Sequence, residues 1–165
     1  MQKLAFIDLD GVVCDNSARF ARATADGKIN WGLAFHPPLL TLDTLIVNAD
    51  HSIFALEQEG WKISYLSSRP DRLCEASETW LGQYGLGGRE LILRPAKKGG
   101  LRTPQWKATL VHARGAQAEH AIFVDDEGEN REAARQMWGE QLGTNRLRLF
   151  ESLALAAEVL NLRSW

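Results

Sequence analysis

Cysteine is nearly missing from this sequence: Cys14 and Cys74 are the only two in 165 residues. Two such thiols make no disulfide framework, and reduced thiols in a cytosolic protein are the expected state. No apolar run is long enough to span a bilayer, and Met-Gln-Lys leads straight into a short apolar stretch where a signal peptide would need a different layout. The expectation is a cytoplasmic protein. An excess of charge is also lacking, since 19 Lys and Arg against 21 Asp and Glu leave a formal −2. That excludes a global attraction to nucleic acid or anionic membrane and leaves any such contact to a local patch. No Gly-x4-Gly-Lys-Ser/Thr segment occurs, so P-loop phosphate binding is excluded, and no internal repeat or low-complexity stretch is visible.

What is present fits an ordinary globular domain, 45% hydrophobic and 24% charged. The length suits a single domain over residues 1–165 with a sizeable core. Five short apolar runs stand out: Leu4–Ile7, Ile63–Leu66, Leu91–Leu93, Ala121–Val124 and Leu147–Phe150. They are nearly continuous rather than alternating, as strands buried on both faces of a parallel sheet require. Helical spacing lies between them. Leu42, Leu45, Ile46, Ala49, Ile53 and Leu56 predict one helix stopped by Gly60, and Leu73, Trp80, Leu81 and Tyr84 a second closed by Gly85. Thr103-Pro104 reads as a capping hydroxyl with proline at the first helical position, for a helix ending at Gly115. Ala133 to Trp138 and Leu153 to Leu160 mark two more. The alternation predicts a doubly wound (Rossmann-like) α/β fold with a parallel sheet. Residues 14–40, with Gly27, Gly32, Pro37 and Pro38 among the aromatics Phe20, Trp31 and Phe35, do not fit it and read as a small flap or cap inserted after the first strand.

Polar residues appear where the runs end: Asp8 and Asp10 after the first, Ser67, Ser68 and Arg69 after the second, Asp125 and Asp126 after the fourth. Ligands of open α/β sheets bind outside the carboxyl ends of the strands, so these groups converge on one crevice. Carboxylates meeting there repel unless a cation shares the site. Oxygen-only ligands favour a hard ion, and Mg²⁺ commonly joins one or two carboxylates to waters and a substrate phosphate. The pattern points to phosphoryl chemistry.

Four segments in this order carry a family resemblance: Asp8-Leu-Asp10-Gly11-Val12, Ser67 in Tyr65-Leu-Ser-Ser-Arg-Pro70, Lys107 in Thr103-Pro-Gln-Trp-Lys-Ala108, and Ile122-Phe-Val-Asp-Asp-Glu127. From Lys3 to about Phe150 the chain resembles the haloacid dehalogenase-like (HAD) phosphatase superfamily. Within it, Ser67-Ser-Arg-Pro70, Thr79-Trp-Leu81, Leu93-Arg-Pro95, Lys107, and Asp125-Asp126 followed by Met137-Trp138 are similar to the 3′-phosphatase domain of phage-type polynucleotide kinases and their stand-alone relatives. Those relatives usually carry an arginine directly after the acidic pair, where this chain has Glu127-Gly128-Glu129.

The resemblance implies a mechanism. Asp8 attacks phosphorus to give an aspartyl-phosphate, and Asp10 serves as general acid, then base. Mg²⁺ is held by Asp8, Asp125 and the backbone carbonyl of Asp10, with Asp126 or Glu129 in support. Ser67 and Lys107 hold the phosphoryl group, Lys97 or Lys98 being alternatives to Lys107. Gly11 permits a sharp turn that aims backbone N–H groups at phosphate. Arg69 either touches phosphate or braces its loop. Residues 89–102 hold five basic side chains, Lys97 and Lys98 among them, against Glu90 alone. They read as a solvated loop or as a rim attracting a polyanion. Trp31 and Phe35 are candidates to stack on a base. The expected substrate is a nucleotide or a nucleic-acid 3′-phosphate end. The rival readings are a small-metabolite phosphatase and a non-catalytic phosphate-binding module.

Overall fold

The computed structural model describes residues 2–96, 100–142 and 146–162. In chain order the elements are β1 (Lys3–Ile7), β2 (Cys14–Asp15), α1 (Ser17–Ala23), β3 (Thr24–Ala25), β4 (Lys28–Ile29), α2 (Trp31–Ala34), β5 (Thr44–Leu45), α3 (Ala49–Gln58), β6 (Trp61–Pro70), α4 (Cys74–Gln83), β7 (Glu90–Arg94), α5 (Thr103–Gly115), β8 (His120–Val124), α6 (Gly128–Leu142), β9 (Leu147–Phe150) and α7 (Leu153–Val159). Short 3-10 turns cover Pro37–Leu42 and Asp71–Leu73.

The five expected strands form one parallel sheet in the order β7-β6-β1-β8-β9. The alternation of side chains in β1 sorts the two cores. Ala5 and Ile7, with Ile63, Tyr65, Ile122 and Val124, pack under α3, α4 and α7. Leu4 and Phe6, with Leu66, Ala121 and Phe123, pack under α5 and α6. Covering both faces is what makes the strand runs continuously apolar, and the doubly wound expectation is met. On the second face α5 and α6 approach closely at Gly115, where a Cβ would stand 2.7 Å from the Trp138 ring. Among the described residues no helix is long and apolar enough to cross a membrane.

Two local expectations are corrected. The helix anticipated from Leu42 begins only at Ala49, after Asn48 in the left-handed region (φ 62°). Periodicity misleads there because Leu45 pairs antiparallel with Cys14, while the Asp43 carboxylate is taken by two arginines. The Thr103 hydroxyl does not cap α5; it accepts a hydrogen bond from Arg94. Residues 14–45 leave the sheet and fold as α1, the β3–β4 hairpin, α2 and a 3-10 turn, tied at their base by the β2–β5 ribbon.

The register sets the site. Ile7 lies level with Tyr65 on one side and Val124 on the other. The residues that follow, Asp8, Ser67 and Asp125, therefore share the carboxyl edge of the sheet's three central strands.

Candidate active site

Asp8 extends β1 by one residue, its N–H donating to Val124 O at 2.9 Å, and the Asp125 N–H likewise reaches Phe150 O at 3.0 Å. Past Asp8 the chain wraps on itself: the amides of Val12, Val13 and Cys14 all donate to Leu9 O. Gly11 allows this turn with φ +82°, and a Cβ there would lie 2.2 Å from Asp126 Oδ2. Only glycine meets both the angle and the approach of that carboxylate.

The second turn of α5 delivers Lys107, fully buried, to the space between two strand ends. Its ammonium donates to Asp8 Oδ2 at 2.6 Å and to Asp125 Oδ2 at 2.7 Å. Asn130 of α6 donates to both Asp125 oxygens at 3.0 and 3.1 Å, the Glu127 amide donates to Oδ1 at 3.0 Å, and Arg131 donates to the Asp125 carbonyl. Asp8, Asp125 and Asp126 each offer an oxygen within 4.8 Å of the others. One lysine does not neutralise them. Burial pushes Asp8 up to about 7, Lys107 opposing and Asp125 adding to the rise. Lys107 is held above its ordinary value in spite of burial, because two carboxylates face it. This oxygen-only, negatively charged set fits a hard divalent cation.

Asp10 lies in a different environment. Its carboxylate accepts from Arg69 Nε at 3.0 Å and Nη2 at 2.7 Å, and from Arg19 of α1. Burial acts to raise it, but Arg69 and then Arg19 outweigh that and hold it at about 2. The same two guanidiniums, both fully buried, share Asp43 at 2.8 Å each, and Arg69 also donates to Ser77 and to the Cys14 sulfur. At Asp43 burial outweighs the arginines and pushes the carboxyl above its ordinary value. Although Asp10, Cys14 and Asp43 are mutually close, the guanidiniums already occupy them.

A crevice of ≈ 710 Å³ opens over these groups. Asp8, Asp10 and Asp126 reach it from the sheet edge, Phe20, Ile29, Trp31 and Phe35 from residues 14–45, and Arg94 and Arg102 from the end of β7 and the start of α5. Of the residues singled out in the sequence, Asp8, Lys107, Asp125 and Asp126 come together directly. Ser67 is buried at the same edge, its hydroxyl accepting from the Arg69 amide at 3.3 Å, while Ser68 lines the crevice. Arg69 stands behind Asp10 and braces it. Glu129 is on the exposed rim, paired with Arg102 at 3.3 Å, so Asp126 rather than Glu129 joins the carboxylate set. Lys97 and Lys98 lie outside the described residues. Arg19, Asp43 and Asn130 were not singled out; no spacing in the sequence links Arg19 to Asp10, and only the fold of residues 14–45 brings them together.

Comparison with family models and with curated proteins finds no match. Solved structures do show similarity. Chains of the Pnkp1/Rnl/Hen1 complex, one of them described as an RNA repair complex, align with TM-scores of 0.60 and 0.56 at 20% and 18% identity. These alignments cover 91% of this chain but only 45% and 43% of those, so this chain spans less than half their length. The HAD domain of effector protein Lem4 from Legionella pneumophila aligns at 0.61 and 12% identity, over 98% of this chain and 95% of that one. Phosphoserine phosphatase in its apo form gives 0.61 and 14%, over 98% of both. The chain has the haloacid dehalogenase-like α/β fold.

Proposed function

We propose that this chain is a Mg²⁺-dependent phosphomonoester hydrolase acting through an aspartyl-phosphate on Asp8, with a nucleotide or nucleic-acid 3′-phosphate end as substrate. The observation that carries the reading is the Lys107 ammonium, buried beneath the crevice and shared by Asp8 and Asp125, with Asp126 alongside. Three carboxylates around one lysine leave negative charge that a divalent ion would balance, and the ion would in turn attract a phosphate. Asp8, Asp125 and Asp126 would hold Mg²⁺, which supplies charge neutralisation to nucleophile and phosphate when bound.

An Asp8 carboxylate oxygen bonds to phosphorus while the ester P–O bond breaks, and the departing alkoxide takes a proton from Asp10. Water then attacks the acyl phosphate, Asp10 accepts its proton, and inorganic phosphate leaves with Asp8 regenerated. Lys107 offers its charge to the phosphoryl oxygens, and the Ser67 hydroxyl is the neighbouring donor. Asp10 must carry a proton for the first step, whereas Arg69 and Arg19 hold it ionised in the free protein. A phosphate dianion entering beside these guanidiniums weakens their hold on Asp10 and raises its proton affinity. The likeness to chains of an RNA repair complex supports the nucleic-acid part of the reading.

The acidic rim made by Glu127 and Glu129 favours a second reading, a phosphatase for small metabolites without further anionic groups. One panel separates them: oligonucleotides with 3′-phosphate or 5′-phosphate against mononucleotides and sugar phosphates, each with Mg²⁺ and with chelator. A preference for the 3′-phosphorylated strand, lost on chelation, is expected. Turnover that survives chelation overturns the metal, and no preference among strands and sugars leaves the metabolite reading.

A further inference from the structure

Two parts of the crevice lining are chemically unlike. One is aromatic. Trp31 stacks on Phe35 with centroids 5.8 Å apart and planes at 23°, and Phe20 meets Trp31 edge-on at 5.9 Å. All three line the crevice, and Trp31 is nevertheless 58% exposed. Behind them the Arg19 guanidinium lies over the Phe20 and Phe35 rings at 5.0 and 5.7 Å. The residue that holds Asp10 thus also fixes this platform. A large indole kept on a packed support and left exposed in a cleft is a ready surface for a flat π-system.

Elsewhere the lining carries the cations Arg94 and Arg102. Arg94, at the end of β7, donates to the Thr103 hydroxyl and to Leu101 O, both neutral. Its Nε is buried without a hydrogen-bond partner, and no carboxylate pairs with it among the described residues. Arg102 beside it differs, being committed to Glu129. Arg94 therefore brings to the crevice lining a charge that no carboxylate compensates among the described residues.

We infer that Trp31 and Arg94 select the substrate of the proposed phosphatase site: the nucleobase next to the scissile phosphate stacks on Trp31, and the adjoining phosphodiester is held by Arg94. The selected class is an unpaired nucleic-acid 3′ end at least two nucleotides long, in preference to a mononucleotide or sugar phosphate. This inference rests on the phosphatase reading for the position of the scissile phosphate.

Equilibrium binding tests it apart from turnover. Asp8→Asn protein is titrated with a 3′-phosphorylated dinucleotide and with the same compound lacking the terminal base. Trp31→Ala in that background is expected to weaken the base-bearing ligand roughly tenfold and to shrink the preference for it over the abasic one. Arg94→Gln should lower the salt slope of binding by about 0.7, the share of one phosphate on a single strand. An unchanged base-to-abasic ratio in Trp31→Ala, or an unchanged salt slope in a folded Arg94→Gln protein, overturns the inference. Failure of the phosphatase reading has a different signature: the unmutated protein binds the dinucleotide with both dependences intact and releases no phosphate from any monoester.

Discussion

Around Lys107 one buried cation meets Asp8 and Asp125, with Asp126 at the margin; around Arg69 two buried guanidiniums meet Asp10 and Asp43. The first cluster is short of positive charge and the second is matched, cation for carboxylate. Their carboxyls respond in opposite directions, Asp8 pushed up to about 7 and Asp10 held at about 2. Two aspartates separated by a single residue thereby sit in opposite electrostatic environments. The unbalanced cluster has room for an ion and a substrate, while the matched one ties residues 14–45 to the sheet and aims Asp10.

The largest effect that would test this contrast is on turnover. Asp8→Asn should lower kcat by on the order of 10⁴-fold or more while leaving the fold intact, since it removes the proposed nucleophile and keeps its shape. Comparable turnover would transfer the chemistry to another group. Next comes stability. Arg69→Met strands buried carboxylates and should cost roughly 3–5 kcal/mol in denaturant unfolding, with or without Mg²⁺. Lys107→Met should be destabilising without metal and recover part of the loss when Mg²⁺ is added, because the ion restores charge to that cluster alone. Equal recovery in both variants would erase the distinction between the clusters.

A smaller effect appears with pH. Asp8 is raised in the folded protein, so the metal-free fold binds the extra proton, and its stability should decline as pH climbs from about 4 to about 7 and level off above. Asp10, being depressed, contributes stability that is complete above about pH 4 and lost only on descent towards 2. The rise in Tm produced by saturating Mg²⁺ should accordingly be greater at about pH 8 than at about pH 5, following ionisation of Asp8, with Asp126 raised in the same direction. Equal shifts at both would contradict the raised carboxyl. Smallest is Gly11→Ala, which forces a left-handed alanine against Asp126; a loss of about 1–2 kcal/mol and weaker Mg²⁺ binding by calorimetry are expected.

The sheet and its edge were legible in the sequence because burial on both faces writes continuous apolar runs, and the residues interrupting them at each end are those the edge presents. Asp8 and Asp125 could be named for that reason, lying at strand ends, whereas Lys107 was pointed to by the family resemblance of its segment. Arg19 and Asp43 could not. They belong to residues 14–45, where elements of two to seven residues leave no usable periodicity and partners meet only through the folded chain. The same competition between local pattern and distant partner shortened α3, whose apolar spacing continues to Leu42 although Asp43 is claimed by arginines. Arg69 was visible as a residue and not as a role, since its bracing of Asp10 depends on those unseen neighbours.

Rapid quenching of the protein with a labelled 3′-phosphorylated oligonucleotide and Mg²⁺, followed by peptide mapping, addresses the central claim most directly. The account predicts an acid-stable, hydroxylamine-labile phosphoryl group on the peptide carrying Asp8, formed and consumed within a turnover. Undiminished turnover with the label on another residue, or with no labelled peptide at any time, would contradict it.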